Sequence, residues 1–192
     1  MNLRLVTHAA PHDEESIRSL ARTDRRAACE AIVHLWREPL FHHAAWIVKD
    51  YEEAIDLVQE VFIKALREPR LFDEEFKIKA WLYRVTSNLC FNQVRDRRRR
   101  GAILDTLPKQ TFTDANQFDV VAKDEEQRQI QAALEQVSEP HREILALRYH
   151  SDLSYGEIAE VLDIKLGTVM SRLSRAKNAL AEVLAGSGVE DS

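Results

Sequence analysis

Cysteine, proline and glycine are all scarce in this chain, with two, five and five residues respectively among 192. Cys29 and Cys90 stand far apart, without a Cys-x-x-Cys spacing or a Cys/His cluster, so neither a disulfide framework nor a zinc site is indicated and no metal or cofactor is expected. A reducing cytoplasm is the expected location. So little glycine and proline leaves few interruptions for helices, and alternating β-branched runs are rare, which favours an all-α fold. No apolar stretch approaches the roughly 20 residues that cross a bilayer, and the segment Met1 to Glu15 lacks the continuous apolar core of a secretory leader. Membrane insertion is therefore not expected.

The net charge of −5 argues at first against nucleic acid, whose binding depends on Lys and Arg. The distribution of charge reverses that inference. Positive charge gathers at Arg95 and Arg97 to Arg100, and again at Lys165, Arg172, Arg175 and Lys177. Negative charge gathers at Asp13 to Glu15, Asp50 to Glu60, Asp73 to Glu75 and Asp114 to Glu126. Blocks of opposite sign set apart along the chain imply separate faces for separate partners.

The helical period organises the rest. One helix is expected over Ile17 to Trp36, continuing past a break or kink at Pro39 into Phe41 to Val48. The next is the cleanest amphipathic segment: Asp50 and Glu53 form an N-terminal cap, and Ala54, Leu57, Val58, Val61, Phe62, Ala65 and Leu66 follow a 3,4 repeat until Glu68-Pro69 ends it. A loop then leads to a long helix from about Phe76 to Arg97. Periodicity fades between Gly101 and Lys123, where Pro108, Thr111, Thr113, Asp114 and Asn116 read as a linker. A second helical unit starts near Asp124, with Ile130, Ala133, Leu134 and Val137 on one face and Ser138 as the N-cap of the following helix. The expected architecture is two small helical domains, 1–100 and 124–185, joined by a flexible acidic linker, 101–123, with a short tail, 186–192.

At 100° per residue the long helix of the first domain sorts into two neighbouring stripes. Ile78, Leu82, Val85 and Leu89 form the expected buried one. Beside it run Trp81, Arg84, Asn88, Asn92 and Arg95. An aromatic ring stacks on an unpaired base, amides bond to a base edge and guanidinium groups hold the backbone, so this stripe suits DNA with partly exposed bases.

In the second domain, Tyr155, Ile158, Ala159 and Leu162 repeat at helical spacing behind a Ser154/Glu157 capping box, and Asp163 suits a left-handed bend. A second helix follows, with Val169, Leu173, Ala176 and Leu180 on one stripe, Thr168, Ser171 and Arg175 on the other side, and Arg172 on the flank. Two helices joined by a tight turn, with hydrogen-bonding and cationic groups outward, form a helix-turn-helix suited to the major groove. Taken alone, the pattern also fits an ordinary helical hairpin with a solvated basic face.

Three segments together resemble the extracytoplasmic-function class of the bacterial sigma-70 family: Asp56-Leu-Val-Gln-Glu-Val-Phe-Ile-Lys-Ala-Leu66, Lys79-Ala-Trp-Leu-Tyr-Arg-Val-Thr-Ser-Asn-Leu-Cys90, and the helix-turn-helix from Leu153 to Ala176. The resemblance implies an RNA polymerase sigma factor, with a region 2 domain, a linker and a region 4 domain. It implies that Asp56, Leu57, Gln59, Glu60 and Phe62 dock on the clamp helices of the β′ subunit, and that region 4 also meets the β flap. It implies that the loop Arg70 to Phe76 captures a flipped base of the minus-10 element, and that Trp81, Arg84, Asn88, Asn92, Arg95, Arg98 and Arg99 contact DNA there; flipping costs a few kcal/mol that such contacts offset. It implies that Lys165, Thr168, Met170, Ser171, Arg172, Ser174 and Arg175 read the minus-35 element, and that the linker runs toward the polymerase active-site channel. An anti-sigma protein is a further partner that the family implies.

Two departures stand out. Met170 occupies a position where the family often carries Arg or Lys, and the loop before Phe76 is acidic at Asp73, Glu74 and Glu75. Nothing resembles the amino-terminal or middle domains of the large housekeeping sigma factors. Two other functions compete. A one-component regulator would bind an operator tightly without polymerase, and it leaves the Trp81 to Arg95 stripe unused. A nuclease or phosphohydrolase rests only on abundant carboxylates, and His42 and His43, being adjacent, point to different helix faces and make a poor ligand pair. No catalytic residue is expected.

Overall fold

The computed structural model describes residues 13–104 and 125–187. Among them are eight α-helices and one π-helical turn: α1 Glu14–Ala21, α2 Arg25–Val48, α3 Tyr51–Arg67, α4 Ile78–Leu104, α5 Glu125–Gln136, α6 Glu139–Leu145, the π turn Ala146–His150, α7 Tyr155–Leu162 and α8 Leu166–Ser187. The fold class is the all-α one expected.

Local signals set most of these boundaries. Asp13, Asp24 and Asp50 are N-caps whose side chains accept from the main-chain N–H of Ser16, Ala27 and Glu53. Each satisfies one of the donors that a helix start leaves unpaired. The cap at Asp24 corrects the expected single helix from Ile17: the chain breaks at 22–24 and restarts, whereas Pro39 lies inside α2. Lys49 closes α2 in the left-handed region, at φ 56°, and Asp163 closes α7 in the same way at φ 53°. The Ser154/Glu157 capping box is complete, with both reciprocal hydrogen bonds. Ser138 precedes α6 as expected, but its side chain makes no capping bond.

In the first domain, α1, α3 and α4 pack around α2. Ile32, Leu40 and Ala44 of α2 meet Ala54, Val58 and Val61 of α3 and Ile78 and Leu82 of α4, all within one core. Burial along α4 is broader than one stripe: Ala80, Tyr83, Thr86, Ser87, Cys90 and Phe91 are buried, whereas Val85 and Leu89 are only half-buried. The cause is position, since α4 lies against α2 and α3 and also against α7 of the second domain. Its helical backbone continues to Leu104, so the expected boundary at residue 100 falls inside the helix. The linker expected over 101–123 lies, from residue 105 onward, outside the described residues, as do residues 188–192 of the expected tail. The helix α8 extends to Ser187.

Candidate nucleic-acid and polymerase interfaces

The second half of the chain builds its reader from the inside out. Val169, Leu173 and Ala176 of α8 are fully buried against Ile158 and Val161 of α7 and Ile144 and Leu147 before them. Burying three apolar side chains on one stripe fixes the rotation of α8, and its opposite side must face water. Lys165, Met170, Ser171, Ser174 and Arg175 are exposed there, and Thr168 and Arg172 lie toward the edges, Arg172 half-buried. Arg172 lies near enough to Glu143 to act on its charge: burial raises the Glu143 carboxyl, Glu139 adds to the rise and Arg172 opposes it. Met170 is 54% exposed at the centre of the face, an apolar side chain among hydroxyls and cations. A thioether can meet a thymine methyl but neither a phosphate nor a guanine edge.

The loop between α3 and α4 is held by a residue that the sequence pattern does not single out. Arg18 of α1 donates from Nη2 to the main-chain oxygen of Phe76 at 2.6 Å and from Nε to that of Asp73 at 3.2 Å. Glu14, one turn earlier, pairs with Arg18 and accepts from the main-chain N–H of Lys79 at 2.7 Å, so α1 caps the start of α4. Arg22 pairs with Glu74 and Arg70 with Asp73, while the Arg25 guanidinium sits 4.9 Å from the centre of the Phe72 ring. The acidic loop is thus partly neutralised by Arg22 and Arg70, while Arg18 holds its main chain.

Along α4, Trp81 is half-buried beside Phe76, at 6.1 Å between ring centroids; Asn88 is exposed and Asn92 lies one turn further on. Asn92 accepts from Arg95, and Arg95 lies 3.7 Å from Glu139. Arg98 and Arg99 are exposed at the far end, Arg99 pairing with Asp96. Their neighbour Arg97 is engaged elsewhere, donating to the last carbonyl of α2, Val48, at 2.6 Å and pairing with Glu53. Arg84 is half-buried, with Nε 2.7 Å from the main-chain oxygen of Val161 and Nη2 2.6 Å from that of Glu160. Both carbonyls belong to the last turn of α7.

The acidic face of α3 is solvent-exposed at Asp56, Gln59 and Glu60, with Leu57 half-buried beside it. Phe62 does not belong to that face. It is 8% exposed and part of the core, because the buried stripe of α3 runs Ala54, Val58, Val61, Phe62, Ala65. Ile63 and Leu66, toward the end of the helix, are left outside, at 49% and 46% exposed. The 3,4 repeat puts Leu66 on the buried stripe, but the domain core is already closed by Ala65 and Leu71.

His42 and His43 occupy different environments, as adjacent helical positions require. His42 is exposed, whereas His43 is fully buried, with Nε2 2.9 Å from Ser87 Oγ and Nδ1 2.8 Å from Ser151 Oγ. Burial, reinforced by the nearby His150, holds the His43 imidazole neutral and down at about 3.

Comparison with known proteins identifies both domains. Residues 32–100 match the family model for sigma-70 region 2, and residues 127–180 match that for sigma-70 region 4. The chain is 30% identical over 185 residues to the RNA polymerase sigma-H factor of Pseudomonas aeruginosa, covering 90% of this chain and 93% of that one. It is 28% identical to the ECF RNA polymerase sigma factor SigW of Bacillus subtilis, covering 89% and 96%, and 32% identical to the ECF RNA polymerase sigma-E factor of Escherichia coli, covering 72% and 79%. Among solved structures, the sigma factor RpoE bound to the anti-sigma factor NepR from Bartonella quintana superposes with a TM-score of 0.56 at 28% identity, over 80% of this chain and 94% of that one. The structure of CnrH with the cytosolic domain of CnrY shares the fold, with a TM-score of 0.63 at 23% identity over 95% and 100%. Two domain matches in the order region 2, region 4, together with the 32% identity to the Escherichia coli ECF factor over 72% of this chain, place it in the extracytoplasmic-function class of the sigma-70 family, the sigma factors that direct RNA polymerase to promoters.

Proposed function

We propose that this chain works entirely by binding, in the cytoplasm, as a bridge that holds core polymerase through α3 and promoter DNA through α4 and α8. The observation that carries this division of labour is the separation of charge. The exposed side of α3 is acidic and carries Ile63 and Leu66, whereas the exposed side of α8 presents Lys165, Ser171, Ser174 and Arg175. A carboxylate-rich face repels phosphate and suits a basic protein surface; a cationic, hydroxyl-bearing helix suits a groove.

In this reading Asp56, Leu57, Gln59 and Glu60, with Ile63 and Leu66, meet the β′ clamp helices, and Phe62 supports them from the core. Trp81, Arg84, Asn88, Asn92, Arg95, Arg98 and Arg99 serve the minus-10 element, and Lys165, Thr168, Met170, Ser171, Arg172, Ser174 and Arg175 the minus-35 element. Region 4 also meets the β flap. An anti-sigma protein is a further partner, by likeness to the Bartonella quintana factor whose solved structure contains one.

Transcription in vitro with core polymerase and DNA recovered with this protein from cells tests the reading. A promoter-dependent transcript is expected only when the chain is present. Tight sequence-specific binding by the chain alone, with no transcript on adding core, would instead identify an operator-binding regulator.

A further inference from the structure

The two domains are not merely tethered; the second covers part of the nucleic-acid face of the first. Arg84 places its guanidinium on the carbonyls of Glu160 and Val161, where the last turn of α7 leaves acceptors without helical partners. A cation at a helix C-terminus also meets the negative end of the helix dipole. On either side of this contact, Lys79 pairs with Glu157 at 2.5 Å, Lys77 with Glu160 at 3.6 Å and Arg95 with Glu139 at 3.7 Å. Behind them, Lys49 pairs with Glu135, His43 meets Ser151, and His150 stacks on Trp46 at 5.6 Å while its Nε2 lies 3.0 Å from the carbonyl of His42. The π turn after α6 carries His150 and delivers Ser151, which aims both at α2.

We propose that the helix-turn-helix domain is an intramolecular lid on the minus-10 face, so that promoter DNA and the domain interface compete for Arg84 and Arg95. This rests on the sigma-factor reading above for what the face binds. With Nε and Nη2 held by the α7 carbonyls, the side-on edge of the Arg84 guanidinium is not open to a phosphate or base while the second domain lies on it. The covered and open surfaces are unequal: the outward side of α8 makes none of these contacts and stays exposed at Lys165, Ser171, Ser174 and Arg175. The closed chain therefore keeps its upstream reader available while Arg84 and Arg95 of its minus-10 reader are engaged.

The composition of the interface suits a lid that opens. Four of its contacts are ion pairs at half-exposed positions, which are weak singly and screened by salt. An open cleft of about 240 Å³ lies at its edge, lined by Lys49, Arg97, Arg98, Leu134, Glu135 and Arg142, so the two surfaces do not meet along their whole border. Polar, imperfectly filled contacts are those expected between domains that separate in use.

A zero-length carbodiimide crosslinker, which joins a lysine only to a carboxylate in contact with it, tests the lid on the full chain. Linked peptides Lys49–Glu135, Lys77–Glu160 and Lys79–Glu157 are expected by mass spectrometry, and excess random-sequence single-stranded DNA of about twenty nucleotides, longer than a typical single-strand site, should suppress them. The triple variant Glu135→Gln, Glu139→Gln, Glu160→Gln should bind that DNA roughly five- to tenfold more tightly than the charge-matched Glu38→Gln, Glu52→Gln, Glu182→Gln, with both melting as the parent does. Absence of the crosslinks, crosslinks indifferent to DNA, or equal affinity of the two variants would each overturn the lid. Failure of the sigma-factor reading would look different: no promoter-dependent transcript from parent or variant, with the crosslinks still formed.

Discussion

Arg18 and Phe76 are far apart in sequence, yet the Arg18 guanidinium lies 2.6 Å from the Phe76 carbonyl and pins the acidic loop between α3 and α4. Arg18→Ala removes a charged donor from two main-chain carbonyls, a loss of about 2 kcal/mol. The expected outcome is a lower denaturation midpoint together with weaker single-stranded DNA binding, while binding of duplex by the second domain stays unchanged. Equal loss at both sites would refute a local role.

Phe62 and Ile63 are neighbours with opposite fates. Phe62→Ala empties core volume and is expected to destabilise the first domain by about 3 to 5 kcal/mol. Ile63→Ser on the exposed face should leave the melt within about 0.5 kcal/mol of the parent and weaken core-polymerase binding. A thermal melt run beside a polymerase-binding titration separates the two.

Arg175 stands on the open side of α8, where its Nε lies 3.4 Å from the Ser171 carbonyl. Arg175→Ala should cost about 1 to 3 kcal/mol of upstream-element affinity if it contacts a guanine edge, without moving the melting temperature. Competition between the preferred site and a site altered at one base pair checks it; unchanged discrimination would remove Arg175 from the readout.

His43 makes the folded chain sensitive to acid. Its imidazole titrates near 6.5 when solvated and is held at about 3 by burial and by His150; the groups facing it are Tyr83, Ser87, Ser151 and His150. The unfolded chain binds a proton that the folded chain refuses, so stability is full above about pH 6.5 and falls as pH drops toward 3. Between about pH 7.5 and pH 5 the loss is about 2 kcal/mol. Denaturant titrations at both values should show it, and His43→Gln should flatten the difference; an unchanged pH dependence would assign it to other groups.

Legibility follows the range of the interactions. The helix-turn-helix and α3 are readable because caps at Asp50 and Ser154, the bend at Asp163 and the 3,4 repeats act within a few residues. The break at 22–24 is hard to read because Asp24 caps a helix within a continuous helical pattern. The breadth of burial on α4 and the choice of Phe62 over Leu66 depend on partners distant in sequence, which periodicity along one helix does not register.

For this protein, then, the sequence by itself determined most of the helices, their order and the outward chemistry of α8, since local hydrogen bonding and amphipathic spacing suffice for those. Only the tertiary structure decided that Arg18 supports the loop, that Arg97 caps α2, and that Arg84 is held by the carbonyls of Glu160 and Val161. A guanidinium is written identically whether it waits for phosphate or satisfies a helix end. Which it does is set by the acceptor that folding brings within reach.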